Sequence, residues 1–256
     1  MENRIREILS KYNGIFSVII KDSFGNRISI NEDRVFLSAS IIKLYILSCI
    51  PKSDYSKIIR LEDRDKVEGN GLLKSLNSGL EFTVKDLVYF MICLSDNTAT
   101  NILIDYLGME NINRFIKENG YCDTILGRKM MDSEAKKMGK DNFTSSKDSE
   151  KVLDILCNDE DCLDMLKNQA CNNKLHLYIP EEEILAHKTG ELPSVEHDVG
   201  RLYFKNGWVD ILVFTQGLKK NIDGILINNE IGKIVYEYYK NRESVNNFVY
   251  LSSLDY

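Results

Sequence analysis

Ser40-Ile-Ile-Lys43 places a serine three residues ahead of a lysine, at the start of an apolar stretch that runs to Ile50. On a helix, positions three apart share a face, so this hydroxyl and this amine can touch. A serine is a weak nucleophile until a base takes its proton. A lysine held among apolar side chains is desolvated, its pKa falls, and its neutral amine can be that base. The pattern alone is weak. Ser133-Glu-Ala-Lys136 repeats it in a polar stretch, where a hydrated lysine keeps its proton. The bland alternative for Ser40 and Lys43 is a buried hydroxyl and a snorkelling amine.

Two further groups carry chemistry. Ser95-Asp96-Asn97 falls between two helical patterns, so a small polar loop is pinned inside a core. Ser-x-Asn also occurs at Ser75-Leu-Asn77 and Ser244-Val-Asn246, and a helix cap or turn residue is the plain alternative. Lys188-Thr189-Gly190 occurs once, in a strand candidate. There a glycine lets a ligand come close to the backbone, while a charged guard on an edge strand is the alternative.

The elements that must position these groups follow from periodicity. Residues 2–11 read as an amphipathic helix, 15–21 as a β-branched strand, 22–26 as a turn and 27–31 as a returning strand. Residues 40–50 are apolar on nearly every face, which places that helix inside a core. Thr83-Val-Lys-Asp86 reads as an N-cap with an acid at N3, opening a helix to Leu94. Another helix spans Thr98 to Leu107 and stops at Gly108. Residues 127–148 are polar and aperiodic, a long loop of the kind that often carries function. Strands at 184–192, 199–205 and 208–216, with Asn206-Gly207 as a hairpin turn, precede a helix at 229–240. This order predicts an α+β protein: an antiparallel five-stranded sheet flanked by helices, with an all-helical insert. Residues 1–39 and 168–256 would form the α/β sub-domain and 40–167 the helical one, with the cleft between them.

The three motifs, in this order, are those of class A β-lactamases and penicillin-binding proteins. The chain resembles that family further in Phe36-Leu-Ser-Ala-Ser40-Ile-Ile-Lys43, Leu94-Ser-Asp-Asn-Thr-Ala-Thr-Asn-Ile-Leu103, His187-Lys-Thr-Gly-Glu-Leu192 and His197-Asp-Val-Gly200. The similarity spans roughly residues 13–240. It implies that Ser40 is the acylated nucleophile and Lys43 its base or proton partner. It implies that Ser95 passes a proton to the leaving nitrogen and that Asn97 holds a substrate amide and helps place Lys43. Lys188 and Thr189 would serve the substrate carboxylate beside Gly190, and the backbone N–H groups of Ser40 and Glu191 would form the oxyanion hole. Gly69-Asn-Gly71 would lie at the rim of the cleft.

The resemblance weakens in the long loop. Thr124-Ile-Leu-Gly-Arg128 matches its opening, but Met130 stands where the family carries the glutamate that activates the deacylating water. Asp132 and Glu134 are the nearest acids, and solvated loop carboxylates are their alternative reading. Arg128 should pair with Asp141 or a neighbour to close the loop. No arginine follows Lys-Thr-Gly where many relatives carry one for the substrate carboxylate. Glu196 or His197 would face the site instead, with His197 a charge-switching contact or a structural strand histidine, and Arg201 further along.

Composition bounds the rest. The 256 residues carry a net charge of −6, with 43% hydrophobic and 28% charged residues, which excludes disorder and gives no footprint for nucleic acid. No apolar run reaches the ~20 residues of a membrane span. The charged start lacks an export signal, so the expected home is the cytoplasm, or outside it if a signal was removed. The six cysteines read as free thiols in a reducing compartment, with Cys49 and Cys93 as small buried hydrophobes. No metal site or cofactor is expected, and the state is taken as monomer. The leading function is a serine hydrolase of β-lactams with slow deacylation, acting on a β-lactam or acyl-peptide substrate. The alternatives are a penicillin-binding or DD-peptidase-like enzyme, an intracellular glutaminase-like amidase or esterase, and a binding module that keeps the pocket.

Overall fold

The computed structural model describes residues 1–252, with side chains through Arg242. The Ser244-Val-Asn246 match therefore lies outside the described side chains. The chain opens with α1 (Glu2–Ser10), β1 (Ile15–Asp22), β2 (Arg27–Ile30) and β3 (Val35–Leu37). The helical stretch holds α2 (Ile42–Cys49), β4 (Ile58–Arg60), β5 (Glu81–Thr83), α3 (Val84–Cys93), α4 (Asn97–Leu107) and α5 (Met109–Glu118). It continues with α6 (Ser133–Lys137), β6 (Phe143–Ser145), α7 (Ser146–Cys157) and α8 (Glu160–Lys167). β7 (Leu185–Leu192), β8 (Val195–Phe204), β9 (Gly207–Gln216) and α9 (Asn221–Ser252) close it.

The main sheet has five antiparallel strands in the order β2-β1-β9-β8-β7, so the fold is α+β. Alternation along the strands sorts its two faces. Val18, Ile20, Val209, Ile211 and Val213 pack with Ile5 of α1 and Ile227, Ile231 and Val235 of α9. Ile19, Ala186, Val199, Leu212 and Phe214 join the other core, around Tyr45 and Leu44 of α2. A helix apolar on nearly every face can only lie there, and α2 is buried from Ile42 through Leu47. β7 is the edge that this arrangement offers to the short turn, residues 39–41, that leads into α2.

Three local expectations shift. The β8–β9 turn falls at Lys205-Asn206, and Gly207 opens β9 opposite Phe204. A side chain at Gly207 would run into Ser23 Oγ and the Phe24 ring, so this glycine serves close strand contact rather than the turn. The final helix begins at Asn221, eight residues early, because Gly224 lets it lie directly on Glu196 and Leu218. The long loop contains α6, and β6 pairs with β3 through Phe36↔Thr144. Both elements are too short to show a period.

Candidate active site

Ser40 lies in a single 3₁₀ turn, Ala39–Ile41, that feeds α2. Ala39 is held at φ +46°, a left-handed conformation that costs a residue with a side chain and recurs at functional sites. A Cβ on Gly190 would come within 3.2 Å of both Ala39 Cβ and Ile41 Cγ1, so the glycine is what lets β7 lie against the nucleophile turn. Ser40, Asn97, Met130 and Glu191 line one cavity of about 170 Å³.

Lys43 is fully buried. Its Nζ donates to Ser95 O at 2.6 Å and lies 3.1 Å from both Ser95 Oγ and Asn97 Oδ1. Ser40 Oγ is not among its partners among the described residues: the amine reaches across to the 95–97 loop, which offers it three acceptors. Lys188, also fully buried, approaches Ser95 Oγ from the other side at 3.2 Å and donates to Thr189 O at 2.9 Å. Burial holds the Lys43 amine well below the usual lysine value, with the Lys188 charge adding to the effect and Asp96 opposing it. Burial also pushes Lys188 down to about 7, with the Cys171 thiol opposing and the Lys174 charge adding to it. Two buried amines, both held below the usual lysine value and flanking one hydroxyl, can pass a proton in either direction.

The loop that presents Ser95 is built around Asp96. Its carboxylate caps α4 at Ala99 N (2.9 Å) and accepts from Leu72 N (2.6 Å) and Leu73 N (2.9 Å). Ser95 sits at φ +54°. Asn97 N donates to Asn70 O at 2.9 Å, which brings Gly69-Asn-Gly71 to the cleft as the resemblance implied. A Cβ on Gly71 would fall inside the Asp96 carboxyl group, at a backbone φ of +114°. Gly71→Ala is therefore expected to lower stability by about 2–4 kcal/mol through strain and a displaced buried carboxylate, and to slow acylation as Ser95 moves. Thermal melting and stopped-flow acylation check this.

A family model described as the beta-lactamase enzyme family matches residues 1–239. The chain belongs to that family. With a serine, two buried lysines and a second serine gathered at one cleft, it is a serine β-lactamase-like hydrolase. It is 23% identical to beta-lactamase VEB-1 of Pseudomonas aeruginosa, over 93% of this chain and 90% of that one. It is 27% identical to beta-lactamase BRO-1 of Moraxella catarrhalis, over 93% and 85%. Among solved structures, a beta-lactamase from Sphaerobacter thermophilus DSM 20745 superposes with a TM-score of 0.85 at 28% identity, covering 93% of this chain and 97% of that one. The fold is also that of PBP-A, with a TM-score of 0.83 at 21% identity, covering 94% and 96%.

Within this β-lactamase family member the loop is closed as expected. Arg128 Nε pairs with Asp141 Oδ1 at 2.8 Å, and Asn142 Oδ1 accepts from Gly127 N and Arg128 N. Met130 is buried, its N–H donating to Asn101 Oδ1 at 2.8 Å and its carbonyl accepting from Asn101 Nδ2 at 3.0 Å. The two loop acids are not brought to Ser40. Glu134 points to solvent and pairs with Lys137 at 2.7 Å. Asp132 caps α6 at Ala135 N (2.9 Å) and lines only the outer cleft. The Ser133-Lys136 pair stands on that same short exposed helix.

Two expectations for the far strand, Glu196 and Arg201, are corrected, and His197 takes the structural of its two readings. His197 is fully buried, its Nε2 at 2.9 Å from Leu37 O and its Nδ1 accepting from Thr215 N at 3.1 Å. Burial pushes its pKa down to about 3, so it is a neutral strand histidine rather than a charge-switching contact. Glu196 is buried on β8 against Gly224 of α9 and Lys174 rather than facing the site. Arg201 is clamped by Asp210 (2.6 and 2.9 Å) and Asp154 (2.7 Å), with its guanidinium 3.7 Å from the Trp208 ring centroid. Thr189 is nearly buried on β7. Cys49 and Cys93 are half-buried rather than buried, and burial pushes Cys93 up to about 11.

Lys174 escaped the sequence reading. It is buried, 2.6 Å from Glu196 Oε2, and its Nζ donates to Gly190 O at 3.0 Å and His197 O at 3.3 Å. Asn221 Nδ2 bonds Glu196 Oε1 at 2.7 Å and Leu192 O at 2.8 Å. A polar network thus holds both ends of the Gly190–Leu192 segment. Only the fold reveals the burial of Lys174. Among the described residues, no cluster of His, Cys, Asp or Glu is placed to hold a metal ion, and no helix is long and apolar enough to cross a membrane.

Proposed function

We propose that Ser40 is acylated by β-lactams and that the lactam amide is opened, with slow release of the acyl group. The observation that carries this is the pair of buried lysines on either side of Ser95 Oγ, beside the Ser40 cavity. Neutral Lys43 takes the Ser40 proton through the cleft, and Oγ bonds to the lactam carbonyl carbon. The developing oxyanion is met by the N–H groups of Ser40 and Glu191, each such donor being worth about 10²–10³ in rate. Ser95, supplied by the lysines, delivers a proton to the lactam nitrogen as the C–N bond breaks. Asn97 orients the substrate amide, and Thr189 and Lys188 hold the far end. Water then attacks the ester, but Met130 offers it no base.

That last feature also favours a second reading, a penicillin-binding or DD-peptidase-like enzyme on acyl-peptides that acylates and holds. A PBP-A variant, a relative in fold, has been solved as an acyl-enzyme complex with penicillin G. A chromogenic cephalosporin separates the readings: a stoichiometric burst followed by measurable turnover supports the hydrolase, and a burst without turnover supports the holder. Absence of a burst, or a burst that persists in Ser40→Ala, sinks both.

The acylation rate is expected to be bell-shaped in pH. It falls on the acid side as Lys43 gains a proton and ceases to be a base. It falls on the alkaline side, near pH 7, as Lys188 loses its charge. Stopped-flow acylation across pH checks this, and a rate that does not fall as the pH rises through about 7 contradicts it.

A further inference from the structure

We propose that Glu191 biases the site by charge, disfavouring acyl donors with a carboxylate beside the scissile amide relative to neutral or cationic ones. The proposal rests on the acylation at Ser40 inferred above and names the substrate class for that site.

Residues two apart on a strand share a face, so Glu191 stands one pleat along from Thr189 on β7, toward the mouth of the cleft. It is exposed, and it lines both the inner cavity that holds Ser40 and an outer chamber of about 600 Å³. Among the described residues its carboxylate has neither an ion-pair nor a hydrogen-bond partner. Its cross-strand partner on β8 is a second carboxylate, Glu196.

The nearest buried cations are already committed. Lys174 is 2.6 Å from Glu196, and Arg128, which lines both cavities with Glu191, is closed on Asp141 at 2.8 Å. Lys188 lies beneath, bound to Ser95 and Thr189. Lys136 lines only the outer chamber, which it shares with Asp132. A penicillin-type carboxylate seated at Thr189 over Lys188 would therefore also meet the unpaired Glu191 charge, with Lys136 standing only in the outer chamber. Two like charges about 6–8 Å apart in a half-buried cleft repel enough to cost about tenfold in binding.

Benzylpenicillin and its methyl ester differ only in that charge. The experiment follows acylation by intact mass for both compounds, in the wild type and in Glu191→Gln. The readout is the acid-to-ester ratio of second-order acylation rates. The glutamine is expected to raise that ratio about tenfold at low salt, and added salt should shrink the difference. A ratio unchanged by Glu191→Gln overturns the proposal, whatever happens to the two rates separately. If neither compound acylates the wild type, the β-lactam reading fails on its own. Charge selection is then read from competitive binding of phenylboronic acid and 3-carboxyphenylboronic acid, which form reversible adducts with an active serine. The same ratio test applies: a rise in Glu191→Gln supports the proposal and an unchanged ratio overturns it.

Discussion

Met130→Glu is expected to shorten the lifetime of the Ser40 acyl-enzyme by about 10²–10⁴-fold, the usual worth of a general base. The position is well prepared for it. Both backbone polar groups of Met130 are held by the Asn101 side chain, and Met130 lines the same cavity as Ser40. A carboxylate in that cavity would be raised in pKa by burial and lowered by the two lysines, which suits a base working near neutrality. Glu134, in contrast, faces solvent beside Lys137, so Glu134→Gln should leave the adduct's lifetime within about twofold. Single-turnover mass spectra after a brief pulse of penicillin give both lifetimes. An adduct as long-lived in Met130→Glu as in the wild type would mean that water is excluded rather than unactivated.

Lys43→Met is expected to slow acylation of Ser40 by about 10²–10⁴-fold. The substitution keeps the length of the side chain and its place in the apolar core while deleting the base. The methionine cannot bond Ser95 O, Ser95 Oγ or Asn97 Oδ1, so part of the loss arises from a loosened 95–97 loop. Burying an amine far from water is costly, so the melting temperature is expected to fall little. A large loss of rate with a small change in melting separates a chemical role from a structural one. A rate within about tenfold of the wild type would remove Lys43 from the base role.

Much of this site could be read from residue types because its chemistry is local. Ser40 and Lys43 lie on the turn and first residues of one helical run, and Lys188-Thr189-Gly190 on one strand, so spacing alone places each group at the cleft. The Thr83 and Asp86 capping box and the Gly108 stop were equally legible, since each acts within a single helical turn. What sequence alone left open depends on contacts between distant segments. The turn of Lys43 toward Ser95 spans 52 residues and follows from where α3 ends. The burial of Lys174 follows from a loop folding under β7 onto Glu196. Arg201 and His197 looked available because a strand pattern says which residues share a face, not what covers it. The Asp210 clamp and the Leu37 carbonyl decide those two.

The chemistry of this site comes down to a covalent bond to Ser40. Intact mass spectrometry of the wild type mixed with benzylpenicillin, and with its methyl ester, tests it directly, with peptide mapping of any adduct. One acyl group per chain on the peptide bearing Ser40, absent in Ser40→Ala, is the expected result. No adduct and no turnover with either compound, or an adduct that survives in Ser40→Ala, would contradict it.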